Sequence, residues 1–265
     1  MNTTPDPIRI SRDAAVVTIT FNRPELHNAF DDQLIGELHT ALDEIAADSS
    51  IRVVVIRGAG ASFSAGADLN WMRRMAQASE ADNEADALAL AHMLRRLDTL
   101  PQATVARVQG AALGGGMGIV SCCDVVIAAE EAVFGLTEVH LGLIPAVISP
   151  YVVAKVGSGQ ARALSVTGRR FKGAEALRLG LANQLTCADE LDTALEKTVR
   201  LILSAAPQAV AEAKQLIQTV SHFDGQNPET EDQQTAAWIA RLRVGAEGQA
   251  GLQAFLNKEK PAWRE

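Results

Sequence analysis

Ala103-Thr104-Val105-Ala106-Arg107-Val108, then Gly110-Ala111-Ala112-Leu113-Gly114-Gly115-Gly116, then Met117 to Val120 and Asp124 to Ala129, read as strand, loop, helix and strand. Strands that feed helices through short loops imply parallel pairing. The same alternation extends towards the N-terminus. Val16 to Phe21 sets Val17, Ile19 and Phe21 opposite Val16, Thr18 and Thr20, a strand broken by Asn22-Arg23-Pro24. Asp31 or Asp32 can cap a helix carrying Leu34, Ile35, Leu38, Leu42 and Ile45 at helical spacing. Arg52 to Arg57 is a short β-branched run bounded by Gly58 and Gly60, which fits a buried strand. Ala81 to Leu100 reads as a helix stopped by Pro101, and Val133-Phe134 as a further strand. After Pro145 the pattern turns helical. Gly157 and Gly159 separate two helices; Gly173 to Leu181, Asp189 to Ala205, Pro207 to Thr219, Glu229 to Arg243 and Glu247 to Phe255 follow. Asp189 and Pro207 serve as N-terminal signals, and residues 222–228 form a loop. The expectation is an α/β core over residues 1–200 and a helical region over 201–265.

Nearly half of the 265 residues are apolar, enough for a sizeable core. The formal charge of −8, with no basic run longer than Arg73-Arg74 or Arg169-Arg170, argues against nucleic acid as a partner. The polar stretch Met1 to Asp13 lacks the apolar centre of a signal peptide, and no window reaches membrane-spanning length. Cys122, Cys123 and Cys187 match no metal spacing. Reduced, buried thiols in a cytoplasmic protein, with no metal and no membrane partner, are expected.

Three consecutive glycines after an apolar strand leave the main chain uncovered, so a ligand can approach its N–H groups. The helix that follows contributes free N–H donors and a positive dipole end. A second loop, Ser64-Ala65-Gly66-Ala67-Asp68, offers the same feature. Two N–H groups aimed at one point make an oxyanion hole. Downstream, Glu138 stands among apolar neighbours in Phe134-Gly135-Leu136-Thr137-Glu138-Val139. Partial burial would raise its pKa and suit it to proton transfer.

These pieces resemble the crotonase (enoyl-CoA hydratase/isomerase) superfamily. The resemblance rests on Phe21 to Glu25 with Asn28-Ala29, Phe63 to Leu69, Gly110 to Gly116, Cys123-Asp124, Phe134 to Pro145, and Ala254-Phe255-Leu256 with Lys258. It runs from about residue 8 to the C-terminus. Ala65 to Met72 and Gly142 to Tyr151 are most similar to the methylglutaconyl-CoA hydratase branch. The resemblance implies a spiral of ββα units that binds acyl-CoA, a helical oligomerisation region, and a homohexamer built as a dimer of trimers. It implies that the N–H groups of Ala67 and Gly115 hold the thioester oxygen and that Glu138 is the catalytic glutamate. Ala65 and the Asp68-Leu69 peptide would contact the adenine part of CoA, with Phe255 and Lys258 completing that site. CoA arrives as part of the substrate, and no separate cofactor is implied.

Two-glutamate hydratases of the superfamily carry a second glutamate two residues after the triple glycine, and here that position is Gly118. One carboxyl group can still take a proton from water and return it to the α-carbon if both steps use one face. Asn70 stands where some hydratases place a CoA-contacting lysine. Asp68 also fits a helix N-cap, and Asp124 a strand start or a local hydrogen-bond acceptor. His27 and His140 fit structural donors; His140 would face the same way as Glu138 if its segment were extended. Arg73 and Arg74 fit either solvated surface positions or a distal-carboxylate contact. The expected reaction is hydration of a branched glutaconyl-CoA of the 3-methylglutaconyl type. Isohexenylglutaconyl-CoA is the rival substrate, enoyl-CoA isomerisation the rival reaction, and an RNA-binding or CoA-binding protein the rival class.

Overall fold

A computed structural model of the chain describes residues 6–264. It opens with a hairpin, β1 (Ile8–Asp13) and β2 (Val16–Phe21), turning at Ala14. Only Ile8 of β1 is buried. This strand lies in the stretch whose sequence reads simply as polar. It is held by antiparallel pairing with β2 rather than by an apolar face, so periodicity does not reveal it. In β2 the inward set is Val17, Ile19 and Phe21, as the alternation implies.

Then come α1 (Asp32–Ala47), β3 (Val53–Gly58), α2 (Leu69–Met75), α3 (Glu80–Asp98) and β4 (Ala103–Val108). The Asp31 carboxylate caps α1 by accepting from the Leu34 N–H at 2.9 Å. Leu34, Ile35, Leu38, Leu42 and Ile45 make its buried stripe. β5 (Ala111–Leu113), α4 (Gly115–Cys122), β6 (Val125–Ala129) and β7 (Val133–Gly135) follow. The second half holds α5 (Ser149–Thr167), β8 (Arg170–Lys172), α6 (Gly173–Leu179), β9 (Gln184–Thr186) and α7 (Leu191–Leu203). It ends with α8 (Pro207–Val220), α9 (Pro228–Val244) and α10 (Ala246–Asn257).

One sheet has the order β1-β2-β3-β4-β6-β9, parallel from β2 onwards. A smaller sheet, β5-β7-β8, pairs β5 parallel and β8 antiparallel to β7. The short strands β5, β8 and β9 lie inside stretches that read as loop or helix, because three-residue strands carry no measurable period. Asp189 falls in a 3-10 turn before α7 and caps nothing, whereas Pro207 stands at the start of α8 as expected. The helix that begins at Ser149 is broken at Gly157, whose φ is +76°.

α4 is the centre of the molecule. Residues 116–122 are all buried, with α3, α5 and β5 packed around them. Beneath the first glycine loop, Phe21 meets Phe30 and Phe63 edge-on at 5.7 and 5.4 Å between centroids. Asp124, just before β6, accepts from the Thr104 N–H and hydroxyl and from Lys214 at 3.0 Å, joining β4, β6 and α8. Arg107 of β4 grips Asp192 of α7 with two hydrogen bonds, which lays α7 across the sheet. Among the described residues no helix is long and apolar enough to cross a membrane. No group of three or more His, Cys, Asp and Glu among them could hold a metal ion.

Candidate active site

The two glycine loops are sewn together by main-chain hydrogen bonds. The Ser64 N–H donates to Ala111 O at 2.9 Å, and the Leu113 N–H donates to Ser64 O at 3.0 Å. Gly116 presses on Ser64: a Cβ there would lie 2.6 Å from Ser64 O. The first loop is also tied to Phe30, whose N–H donates to Gly66 O and whose O accepts from the Asp68 N–H, each at 2.7 Å. In such a parallel bridge the residue between those two bonds, Ala67, points its own N–H away from Phe30. The Phe30 ring in turn packs on Gly115, where a Cβ would lie 2.9 Å from Cδ2. Phe30 therefore holds Ala67 by its main chain and Gly115 by its ring. Among the described residues neither the Ala67 nor the Gly115 N–H donates to a protein acceptor. For Gly115 the reason is that it opens α4, where the first N–H groups have no intrahelical partner.

Glu138 reaches the same point from the other side. It opens a 3-10 turn, Glu138–Leu141, immediately after β7 and Leu136-Thr137. The Gly114 N–H donates to Gly135 O at 2.9 Å, which fastens the glycine run to β7. Gly114 has φ +49°, and a Cβ there would stand 3.2 Å from Glu138 Oε1. Glu138 Oε2 is buried and has no hydrogen-bond partner among the described residues. Burial pushes the Glu138 carboxyl up from its ordinary value. An unpaired buried carboxylate beside free N–H donors is an arrangement that costs stability and suits proton transfer.

Asp68 is a helix cap. Its Oδ1 accepts from the N–H groups of Asn70 at 2.8 Å and Trp71 at 3.0 Å, and its Oδ2 from Arg23 at 3.1 Å. Burial acts to raise its pKa, but the Trp71 and Asn70 N–H groups and the Arg23 guanidinium outweigh it and hold it below its usual value. Its side chain is thus committed, and only its main chain is available to a ligand. The Ala65 N–H is committed to His27 O at 2.9 Å, while Ala65 and Leu69 lie exposed on the loop.

Phe255 and Lys258 are exposed at the end of α10, which packs on α8 and α9. Arg74 is paired with Asp32, and Arg73 donates to Asn70 Oδ1 at 2.9 Å. His27 Nδ1 meets the Ser62 hydroxyl at 3.1 Å. The segment at His140 is a 3-10 turn and not extended, and its Nε2 contacts Gly168 O at 3.1 Å, away from Glu138. A concavity of about 950 Å³ lies on the polar face of β1–β4, and its lining contains none of Ala67, Gly115 or Glu138. The unpaired groups lie at the loops and not in this concavity.

Two contributors escape a reading of the sequence alone. Arg23 reaches Ala29 O, Asp31 and Asp68, clamping the Phe30 segment to the α2 cap. Its signal was its place in the Asn22-Arg23-Pro24 break, which reads only as a turn. Ile148 packs against Gly118, where a Cβ would lie 2.9 Å from its Cβ. No local pattern marks that contact.

The fold is α/β, and its two paired glycine loops bring the unbonded N–H groups of Ala67 and Gly115 together beside one carboxylate, that of Glu138. Residues 11–265 match the enoyl-CoA hydratase/isomerase family, and the chain belongs to it as a hydratase-type enzyme. An enoyl-CoA hydratase structure from Shewanella pealeana superposes with a TM-score of 0.92 at 40% identity, covering 97% of this chain and 96% of that one. Pseudomonas aeruginosa AtuE superposes with a TM-score of 0.93 at 38% identity, over 98% and 100% of the two chains. The mevalonyl-coenzyme A hydratase sidH of Aspergillus fumigatus is 31% identical over 94% of this chain and 91% of its own.

Proposed function

We propose that the protein hydrates a β-branched glutaconyl-CoA thioester of the 3-methylglutaconyl type. The observation that carries the reaction is the half-buried Glu138 carboxylate beside Gly114, its buried Oε2 without a partner among the described residues, next to the free N–H groups of Ala67 and Gly115. The two N–H groups take the thioester oxygen. Glu138 accepts a proton from water as its oxygen bonds to the β-carbon. The π electrons move to the thioester oxygen as an enolate, and Glu138 then returns the proton to the α-carbon. Electrostatic holding of the developing charge supplies about 3–4 kcal/mol per donor. The acyl assignment rests on the resemblance of Ala65 to Met72 and Gly142 to Tyr151 to the methylglutaconyl branch; the sidH likeness supports a branched acyl group. Isohexenylglutaconyl-CoA shares the glutaconyl unit and is the competing substrate.

CoA lies along Ala65 and the Asp68-Leu69 peptide, where Ala65 and Leu69 are exposed. Phe255 and Lys258 reach the CoA of a neighbouring subunit in a hexamer made of two trimers, and the enzyme works in the cytoplasm. Exposed Leu141, Leu143 and Ile144 beside the site, with Ile239, Val244 and Leu256 on the C-terminal helices, supply apolar surface for such contacts. A single carboxylate also suits isomerisation, in which Glu138 would carry one proton between two carbons. Steady-state kinetics on a panel of glutaconyl- and straight-chain enoyl-CoA esters, with products resolved by mass, tests the reading. Addition of 18 mass units, fastest with the branched glutaconyl esters, is expected; migration of the double bond without a mass change would overturn it. Light scattering at micromolar concentration should give a hexamer, and a monomer would refute the assembly.

A further inference from the structure

We propose that Ile148 is the specificity-determining residue of this site, the wall against which the substituent on the reacting β-carbon is measured. The proposal rests on the hydratase reading above, and the observations behind it are separate. Gly114, the N-cap, and Gly118 follow one another along the start of α4, with the Gly118 N–H donating to Gly114 O at 3.0 Å, and neither carries a side chain. Gly114 meets Glu138 Oε1, and Gly118 meets Ile148. The chain between them is folded back by the Leu143 N–H donating to Glu138 O at 3.1 Å. Ile148 is 3% exposed and belongs to the main core, so it is a fixed wall and not a mobile flap.

This order sets a ruler along α4. The thioester oxygen is placed at the Gly115 N–H, at the helix start. Glu138 must reach both the α-carbon and the water that joins the β-carbon, so the double bond lies beside it. Any group on the β-carbon that points further along α4 towards Gly118 then runs into the Ile148 methyl groups. A β-branched side chain has few rotamers with which to retreat. The pocket length at that carbon is thus set by residue 148, with Gly118 contributing no side chain.

The test compares wild type with Ile148→Ala and the milder Ile148→Val. Substrates are crotonyl-CoA, 3-methylcrotonyl-CoA and a 3-alkyl homologue with a longer branch. The ratio of kcat/KM for the longest branch over crotonyl-CoA should rise in Ile148→Ala by about 10-fold or more, the discrimination that removing hydrophobic bulk commonly changes. Ile148→Val should lie between. An equal fall in kcat/KM for every ester, with the ratio unchanged in both variants, would overturn the proposal by making Ile148 a packing residue only. If wild type turns over none of these esters, the hydratase reading is judged on the glutaconyl panel above, and Ile148 is still tested by calorimetry of the saturated esters butyryl-CoA, isovaleryl-CoA and a longer 3-alkyl homologue. A shift of Kd preference towards the longer branch in Ile148→Val and Ile148→Ala supports the wall, and unchanged preference refutes it.

Discussion

Replacing Glu138 by Gln should abolish turnover and at the same time stabilise the protein at neutral pH. The side chain is half-buried beside Gly114, its buried Oε2 has no partner among the described residues, and burial raises its pKa above the ordinary value of 4.5. The folded state therefore holds the proton where the unfolded chain has lost it. By linkage, stability falls as pH rises from about 4.5 through the folded pKa, and the penalty persists above it. Gln fills the same volume without a charge. A buried polar group left unpaired costs about 1–3 kcal/mol, and a charged one more. Gln keeps the unpaired character but loses the charge, so a gain of about 1 kcal/mol is expected near pH 8. For a chain of this size that is about 2–4 °C in Tm. The gain should close as pH falls towards 4, where both side chains are neutral. Activity should drop by about 10²–10⁴-fold, in kcat more than in KM. The wild-type acid limb of kcat/KM should lie above the ordinary carboxylate value, since free Glu138 must be ionised to accept the proton from water. Thermal melts at pH 8 and pH 4, paired with initial rates, read both effects. A Glu138→Gln protein that melts lower than wild type at pH 8, or hydrates at near-normal rate, would refute the reasoning.

Gly115→Pro removes the oxyanion N–H at a position where a helix tolerates proline, while Gly115→Ala keeps the N–H with comparable crowding against Phe30; kcat should fall about 10²-fold or more further in Pro than in Ala, and equal rates would reject the donor. Gly118→Glu drives its Cβ onto Ile148, so it should destabilise by about 1–3 kcal/mol without a gain in rate, read as a lowered denaturation midpoint. Asp68→Ala removes the α2 cap and the Arg23 partner and should cost about 1–2 kcal/mol at pH 7. Because the folded Asp68 pKa is depressed, wild type loses that contribution as pH falls below about 4, and the two melting curves should converge there.

The sequence carries those parts of this molecule that repeat or punctuate. The alternation in β2, the stripe of α1 and the Asp31 cap are all legible because one face is buried and one is not. The two loops are legible because glycine runs after apolar strands have few other uses. What the sequence does not carry is contact between distant segments. Phe30 reads as one apolar residue before a helix, yet it braces both glycine loops. Arg23 reads as part of a turn, yet it clamps Asp31 and Asp68. β1 is invisible because its stability comes from a partner strand and not from its own pattern. In α9, Trp238 donates its indole N–H to Glu212, a contact with α8 that no local pattern marks, while Ile239 and Val244 face outwards.

Of the glycines that open α4, only the N-cap Gly114 has a positive φ, +49°, and all of them are also constrained by neighbours. Each glycine inside a helix costs about 0.5–1 kcal/mol relative to alanine. Here every one of them faces something that a methyl group would displace: Glu138 at Gly114, Phe30 at Gly115, Ser64 O at Gly116 and Ile148 at Gly118. Ser64 belongs to the first glycine loop, Phe30 braces both loops, Glu138 supplies the carboxylate, and Ile148 packs one turn further along. A helix without side chains on these faces lets two loops, a carboxylate and a wall close on one small volume. The burial of residues 116–122 on all sides offsets the propensity lost. The same close approach leaves Glu138 Oε2 unpaired, so the feature that makes the site compact also keeps its carboxylate basic. Stability and catalysis therefore pull in opposite directions at Glu138, and the fold holds that tension because α4 cannot move without breaking its contacts with α3, α5 and β5 together.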